Sequence, residues 1–157
     1  MGLSPEEIDQ LHRGGLLHDI GKIGVHPSIL DKPGKLTEEE IAVVRRHPSK
    51  GAEILEPIPN LRIVIPIVVQ HHERFDGKGY PNGLAGESIS LQARILAVAD
   101  VVDALVSDRP YRPGWSREKV LAYTRENAGS QFDPSVVEAY LRIEAAGRGI
   151  SPLIAAG

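Results

Sequence analysis

The sequence has no cysteine, which excludes disulfides and thiolate metal sites and fits a reducing compartment. No apolar run approaches the roughly 20 residues needed to cross a bilayer, and Met1-Gly2-Leu3-Ser4-Pro5 lacks the basic and apolar order of a signal peptide. A cytoplasmic location without membrane attachment is the expectation. Excess positive charge is also missing. The formal net charge of -3 argues against a broad basic surface for a nucleic-acid polymer and leaves room for a local phosphate pocket. There is no internal repeat, low-complexity tract or second domain, and 157 residues with 41% hydrophobic side chains suffice for one domain with a real core.

What the chain does have is histidine and aspartate in pairs. His18-Asp19 lies near the start, and His71-His72 stands just before Asp76-Gly77-Lys78-Gly79-Tyr80-Pro81. His47 and Asp100 fall between and beyond these pairs. Imidazole and carboxylate are the usual ligands of iron, manganese or zinc, and one carboxylate can bridge two ions, so the pairs suggest hydrolysis of a phosphate ester. A divalent centre draws ligands from separate elements, because one helix can aim only one or two side chains at a point.

Each candidate has a plainer reading. His12 and His26 fit structural or surface positions. The adjacent histidines fit that reading badly, since neighbours on a helix point about 100° apart and a core would seldom bury both unpaired. Asp100 interrupts Ile95-Leu96-Ala97-Val98-Ala99 and Val101-Val102, where an unpaired carboxylate costs on the order of several kcal/mol. A metal or cationic partner removes that cost. Lys22, Arg109 and Arg112 could supply a phosphate pocket.

Local patterns predict helices. Ser4-Pro5-Glu6-Glu7 reads as a capping box with proline in the first turn, opening a helix that ends near Gly21 and places His18-Asp19 in its last turn. Thr37 to Glu40 is a second box leading to His47, where Pro48 favours a break before a short helix from Ser49 to Leu55. Ile63 to Val69 is β-branched, yet Pro66 and continuity with His71-His72 favour helix. Residues 75–90 are glycine-rich with a turn at Asn82-Gly83, a loop with room for a small hairpin. Leu91 to Ser107 reads as the most buried helix, with Asp100 and Asp103 on one face. Ser116 caps a helix through Glu126, and Asp133-Pro134 opens the last, through about Ala145.

Taken in order, Leu17-His18-Asp19-Ile20-Gly21-Lys22-Ile23-Gly24, His47-Pro48, His71-His72-Glu73-Arg74-Phe75-Asp76-Gly77-Lys78-Gly79-Tyr80-Pro81 and Asp100-Val101-Val102-Asp103-Ala104-Leu105 resemble the HD-GYP family over about residues 3–143. Arg109-Pro110-Tyr111-Arg112 and Gln131-Phe132-Asp133-Pro134 look like its later motifs. The resemblance implies an all-α fold, an HD-superfamily helical bundle with a glycine-rich GYP loop over residues 1–146, followed by a flexible tail, 147–157. It implies a phosphodiesterase that opens cyclic di-GMP to pGpG, and in some members GMP, on two or three divalent ions, commonly iron or manganese. The ligand roles carry over to His18, Asp19, His47, His71, His72 and Asp100, with Asp19 bridging. Asp19 and Lys22 take the catalytic roles; Lys22, Gly79, Tyr80, Arg109 and Arg112 match the substrate-contacting part. An upstream sensor or receiver domain and a homodimer are the implied partners.

The beginning departs from the pattern. Members similar to this chain carry a helix before Leu3 that supplies a histidine and often a glutamate, and His12, about 240° around the helix from His18, is a poor substitute. The expectation is a fragment, or a natural product lacking that helix, with one metal short of a ligand and an apolar face left for a partner domain, a second copy or rearranged helices. Two other functions stay open: a binding or signalling module that cannot turn substrate over, and another hydrolase of the His-Asp superfamily acting on mononucleotides. The complete glycine-tyrosine-proline loop disfavours the latter.

Overall fold

Helix starts follow side chains that satisfy otherwise orphaned backbone N–H groups. The computed structural model describes residues 1–108 and 113–149. Ser4 accepts from the Glu7 N–H while the Glu7 carboxylate accepts from the Ser4 N–H, opening α1 (Pro5–Leu17). His26 caps α2 (Pro27–Leu30), a short helix that the sequence patterns do not announce. Thr37 and Glu40 form the second reciprocal box, at α3 (Glu38–Val44).

Pro48 does not delay the next helix to Ser49. It lies in the first turn, where a missing N–H is harmless, so α4 (His47–Leu55) already includes the histidine. Pro66 does the same for α5 (Ile65–Gln70), and the residues before it, Pro59–Val64, wind as a tighter 3₁₀ helix. Ser90 caps α6 (Leu91–Val106), Ser116 caps α7 (Arg117–Glu126), and Asp133 caps α8 (Pro134–Ala145). Among the described residues there is no strand, only an isolated bridge between Ala128 and Phe132, so the all-α expectation holds. The hairpin within 75–90 does not form; that stretch carries a 3₁₀ turn at Gly86–Ser88.

Two apolar clusters hold the helices. Val98, Val102, Val120, Phe132, Val136 and Val137 pack α6 against α7 and α8, with Trp115 and Tyr123 at the margin. Leu55, Val64 and Val68 join α4, α5 and the end of α1 through Leu17 and Ile20. Between them α6 lies against both α1 and α5. No described helix is long and apolar enough to cross a membrane. The tail expected from Gly147 begins tied to α8, with Gly147 N–H donating to Glu144 O (3.1 Å) and Arg148 N–H to Ile143 O (3.1 Å). Residues 150–157 lie outside the described residues.

Candidate metal centre

The first helix stops one turn earlier than its sequence suggests, and this positions the site. His18 is the residue after α1, and Asp19 opens a 3₁₀ turn at Ile20–Gly24 in which Lys22 N–H donates to Asp19 O (2.9 Å). The tighter winding presses Gly21 onto α4. A Cβ there would overlap the His47 carbonyl oxygen and sit 2.6 Å from Gly51 N, so only glycine permits the approach that brings Asp19 beside His47.

Three imidazoles are held in the same way. His18 Nδ1 donates to Gly15 O (2.6 Å), His47 Nδ1 to Val44 O (2.8 Å) and His71 Nδ1 to Val68 O (2.7 Å), each three residues back. A carbonyl oxygen can only accept, so the proton is on Nδ1 and Nε2 is turned toward the centre. Histidines 71 and 72 follow the end of α5 rather than continuing it, His71 being its C-cap. Ligand atoms of Asp19, His47, His71 and His72 all lie within 4.8 Å of one another. His47 Nε2 is 3.3 Å from His71 Nε2 and 3.2 Å from Asp19 Oδ1.

The other two candidates adjoin this group through the second oxygen of Asp19. His18 Nε2 lies 3.5 Å from Asp19 Oδ2 and 3.7 Å from Asp100 Oδ1, while Lys22 Nζ donates to Asp19 Oδ2 at 2.6 Å. Asp19 therefore turns one oxygen to His47 and His71 and the other to His18 and Lys22. All six sequence-predicted ligands are gathered, from the end of α1, the start of α4, the end of α5 and the middle of α6.

Electrostatics at the site reflect close packing. Burial pushes the His71 imidazole down to about 4 and that of His72 down to about 3, so both are neutral at neutral pH. A bond to Asp100 raises His18 against the effect of burial. Burial opposes ionisation of Asp19 and Asp100, but the Lys22 ammonium bonded to Asp19 and the His18 ring beside Asp100 outweigh it, so both carboxyls lie below their usual range. Asp19 Oδ1 is nonetheless buried without a hydrogen-bond partner, because the His47 nitrogen facing it presents a lone pair. Electron-rich atoms this close repel unless a cation sits among them, and a nitrogen–oxygen donor set suits a first-row divalent metal.

The loop after His72 folds against this cluster. Gly79 lies so near the preceding chain that a Cβ would be 2.6 Å from His72 O. The Tyr80 ring stacks on His72 with centroids 4.8 Å apart and planes at 29°, and the Tyr80–Pro81 peptide is cis. Burial raises the Tyr80 hydroxyl to about 12, so it remains a donor. Lys22 is bound to Asp19, as above. Arg109 and Arg112 lie outside the described residues.

Two residues with roles here escaped the sequence reading. Glu73 is buried and its carboxylate accepts from Asn82 N–H (2.7 Å) and Leu84 N–H (3.1 Å), tying the loop to the end of α5. An acid directly before a glycine-rich stretch of unpaired N–H groups was the available signal. Arg45, two residues before His47, places its guanidinium 5.4 Å from the Tyr80 ring centroid.

Comparison with known proteins gives this arrangement its context. A family described as HD domain matches residues 1–136. The cyclic di-GMP phosphodiesterase response regulator RpfG of Xanthomonas campestris pv. campestris is 50% identical over 144 residues, covering 90% of this chain and 38% of that protein. The 3'3'-cGAMP-specific phosphodiesterase 3 of Vibrio cholerae is 45% identical over 124 residues, covering 79% of this chain and 27% of that protein. The chain thus spans well under half the length of these curated relatives. A crystal structure of a cyclic GMP-AMP-specific phosphodiesterase from V. cholerae shares the fold, with a TM-score of 0.70 at 20% identity over 94% of this chain and 40% of that one. The chain belongs to the HD domain family, and its His71 to Pro81 motif puts it in the HD-GYP branch.

Proposed function

We propose that the chain is a metal-dependent phosphodiesterase that opens cyclic di-GMP to pGpG and, by a second cut, yields GMP. The observation that carries this reading is the convergence of Asp19, His47, His71 and His72 within 4.8 Å beside the loop that bears Tyr80. His18, Asp19, His47, His71, His72 and Asp100 would hold two or three divalent ions, iron or manganese, with Asp19 shared because its oxygens face different ligand groups. Such ions supply Lewis-acid polarisation of the phosphoryl group and lower the pKa of water.

The protein's own groups do the rest. Carbonyl bonds to Nδ1 fix His18, His47 and His71 before substrate arrives, so little reorganisation is needed during reaction. Lys22, half-buried beside Asp19, offers an ammonium to a nonbridging phosphate oxygen as negative charge grows there. Gly79 lets the loop backbone approach the ligand, and Tyr80 donates its hydroxyl or offers its ring edge to a guanine. Arg109 and Arg112 supply forked hydrogen bonds to phosphate. In the hydrolysis, water oxygen bonds to phosphorus as the bond to the ribose 3'-oxygen breaks, and that oxygen takes up a proton.

A bacterial second messenger as substrate favours a cytoplasmic location, and the relative named as a response regulator supports a receiver or sensor domain as its upstream partner. Protein purified anaerobically and loaded with iron or manganese is expected to convert cyclic di-GMP to a linear product by chromatography. Tight binding without product would select the non-enzymatic module. A second substrate, 3'3'-cGAMP, belongs in the same assay because a relative of that specificity is 45% identical. Turnover of mononucleotides alone would select the broader hydrolase reading.

A further inference from the structure

Arg45 lies beside the proposed centre with no carboxylate among the described residues to neutralise it. It is the C-cap of α3, where its N–H donates to Ile41 O (2.9 Å), and it precedes His47 by two residues, so its backbone is fixed by the element that supplies a ligand. Its guanidinium is 5.4 Å from the Tyr80 centroid, and that ring stacks on His72. Among the described residues no carboxylate stands within ion-pair distance of Arg45, whereas Arg74, Arg94 and Arg117 are each paired, to Asp76, Asp133 and Glu144. Lys22, the other described cation at the centre, is bonded to Asp19 at 2.6 Å. Holding an exposed, unneutralised arginine on an aromatic ring orients its planar fork without consuming its N–H donors.

A cyclic dinucleotide carries two phosphodiesters. Only one can be the reacting group, and the other stays anionic throughout. Resting on the phosphodiesterase reading above, we propose that Arg45, braced on Tyr80, binds the non-reacting phosphodiester of the substrate and so selects cyclic dinucleotides over esters with a single phosphate. The contact is present in ground and transition states alike, so it sets KM and not kcat.

The test compares the parent, Arg45→Ala and Arg45→Lys on cyclic di-GMP and on bis(p-nitrophenyl) phosphate, which has one phosphodiester, with bound metal measured for each. Arg45→Ala should raise KM for cyclic di-GMP by about tenfold or more, as expected for loss of one charge-assisted contact, with kcat changed less than about threefold. Arg45→Lys should recover part of the KM, and the single phosphodiester should lose far less efficiency than the dinucleotide. Equal losses on both esters, a fall in kcat alone, or reduced metal content would assign Arg45 to bracing Tyr80 and His72 and overturn the proposal. So would parent-like KM in Arg45→Ala. Calorimetric titration of cyclic di-GMP separates this idea from the reading beneath it. A parent that binds but does not cleave removes the enzyme claim, and weaker binding by Arg45→Ala then still supports the contact. A parent that does not bind removes both.

Discussion

Around Asp19 Oδ1 electron-rich atoms face one another with no donor among the described residues to join them, whereas around Phe132 the chain answers its own buried polar groups. Asp19 Oδ1 has no partner, and His47 and His71 turn nitrogens toward each other at 3.3 Å. In the α6–α8 half, buried Asp133 accepts from the Arg94 guanidinium and from Ser135, Glu144 accepts from Arg117, and Thr124 Oγ1 donates to Val120 O (2.8 Å). The difference is what a cation-binding cluster would show, because an internally satisfied fold leaves few such groups unpaired. One half is complete in itself, and the other is arranged for something it must bind. The two meet where Phe75 N–H donates to Gln131 O (3.2 Å) and Asp76 N–H to Ser130 O (2.8 Å), so the loop is hung on the self-sufficient half.

Exchanging the two aspartates tests that contrast most severely. Asp19→Ala removes an oxygen from each side of the cluster and should abolish metal retention, lowering turnover by roughly a thousandfold or more. Its metal-free fold loses the Lys22 bond along with the unpartnered Oδ1, so its unfolding free energy should fall by less than that of Asp133→Ala. Asp133→Ala strands the largely buried Arg94 charge and the α8 N-terminus, so it should lower unfolding free energy by about 3 kcal/mol while folded molecules still bind metal. Denaturant titration beside elemental analysis measures both. If Asp133→Ala emptied the centre as fully as Asp19→Ala, the two halves would not be separable.

The same contrast explains what could be read from the sequence. Ser4, Thr37, Ser116 and Asp133 act within three residues of themselves, so their helices were legible, as was the gathering of the six candidate side chains that chemistry and motif order single out. Asp19 lying beyond α1 was not legible, because the switch to 3₁₀ winding depends on Gly21 meeting His47, residues far apart in sequence. The absent hairpin has a similar cause. Glu73 captures the Asn82 and Leu84 N–H groups that a strand ladder would have used, and this competition is tertiary. Arg45 against Tyr80 is a contact between motifs, invisible when each is read alone.

Acid should find the histidine half first. The unfolded imidazoles titrate near 6.5, while burial holds His71 at about 4 and His72 at about 3 in the fold. Between 6.5 and 4 the unfolded chain therefore binds more protons, and metal-free stability, complete above this window, falls as pH falls through it. The loss should be on the order of a few kcal/mol, read as a drop in urea midpoint from pH 7 to pH 4.5. Bound divalent metal should steepen the fall, since protons and metal compete for Nε2. His71→Gln should flatten the metal-free profile. A midpoint independent of pH in the parent would break the idea that these rings are buried uncharged.

Glu73→Gln sharpens the comparison at the join. The amide keeps the size of the side chain but only one accepting oxygen, so either Asn82 or Leu84 loses its partner and the loop loosens by roughly 1–2 kcal/mol. Metal content should hold, since Glu73 reaches the loop and not the cluster, while KM for the dinucleotide rises several-fold. Loss of metal together with the rise in KM would mean that the loop also braces His72.

The smallest effect is expected at a histidine outside both halves of the contrast. His26 Nδ1 accepts from Ser28 N–H (3.2 Å) at the start of α2, an exposed capping bond of purely local reach. His26→Ala should lower stability by about 0.5–1 kcal/mol and leave metal stoichiometry as it was, because the ring faces its own helix rather than the cluster. Elemental analysis of this variant calibrates every other histidine result. If metal were lost here as well, depletion would report general damage, and the loss in Asp19→Ala would no longer identify a ligand.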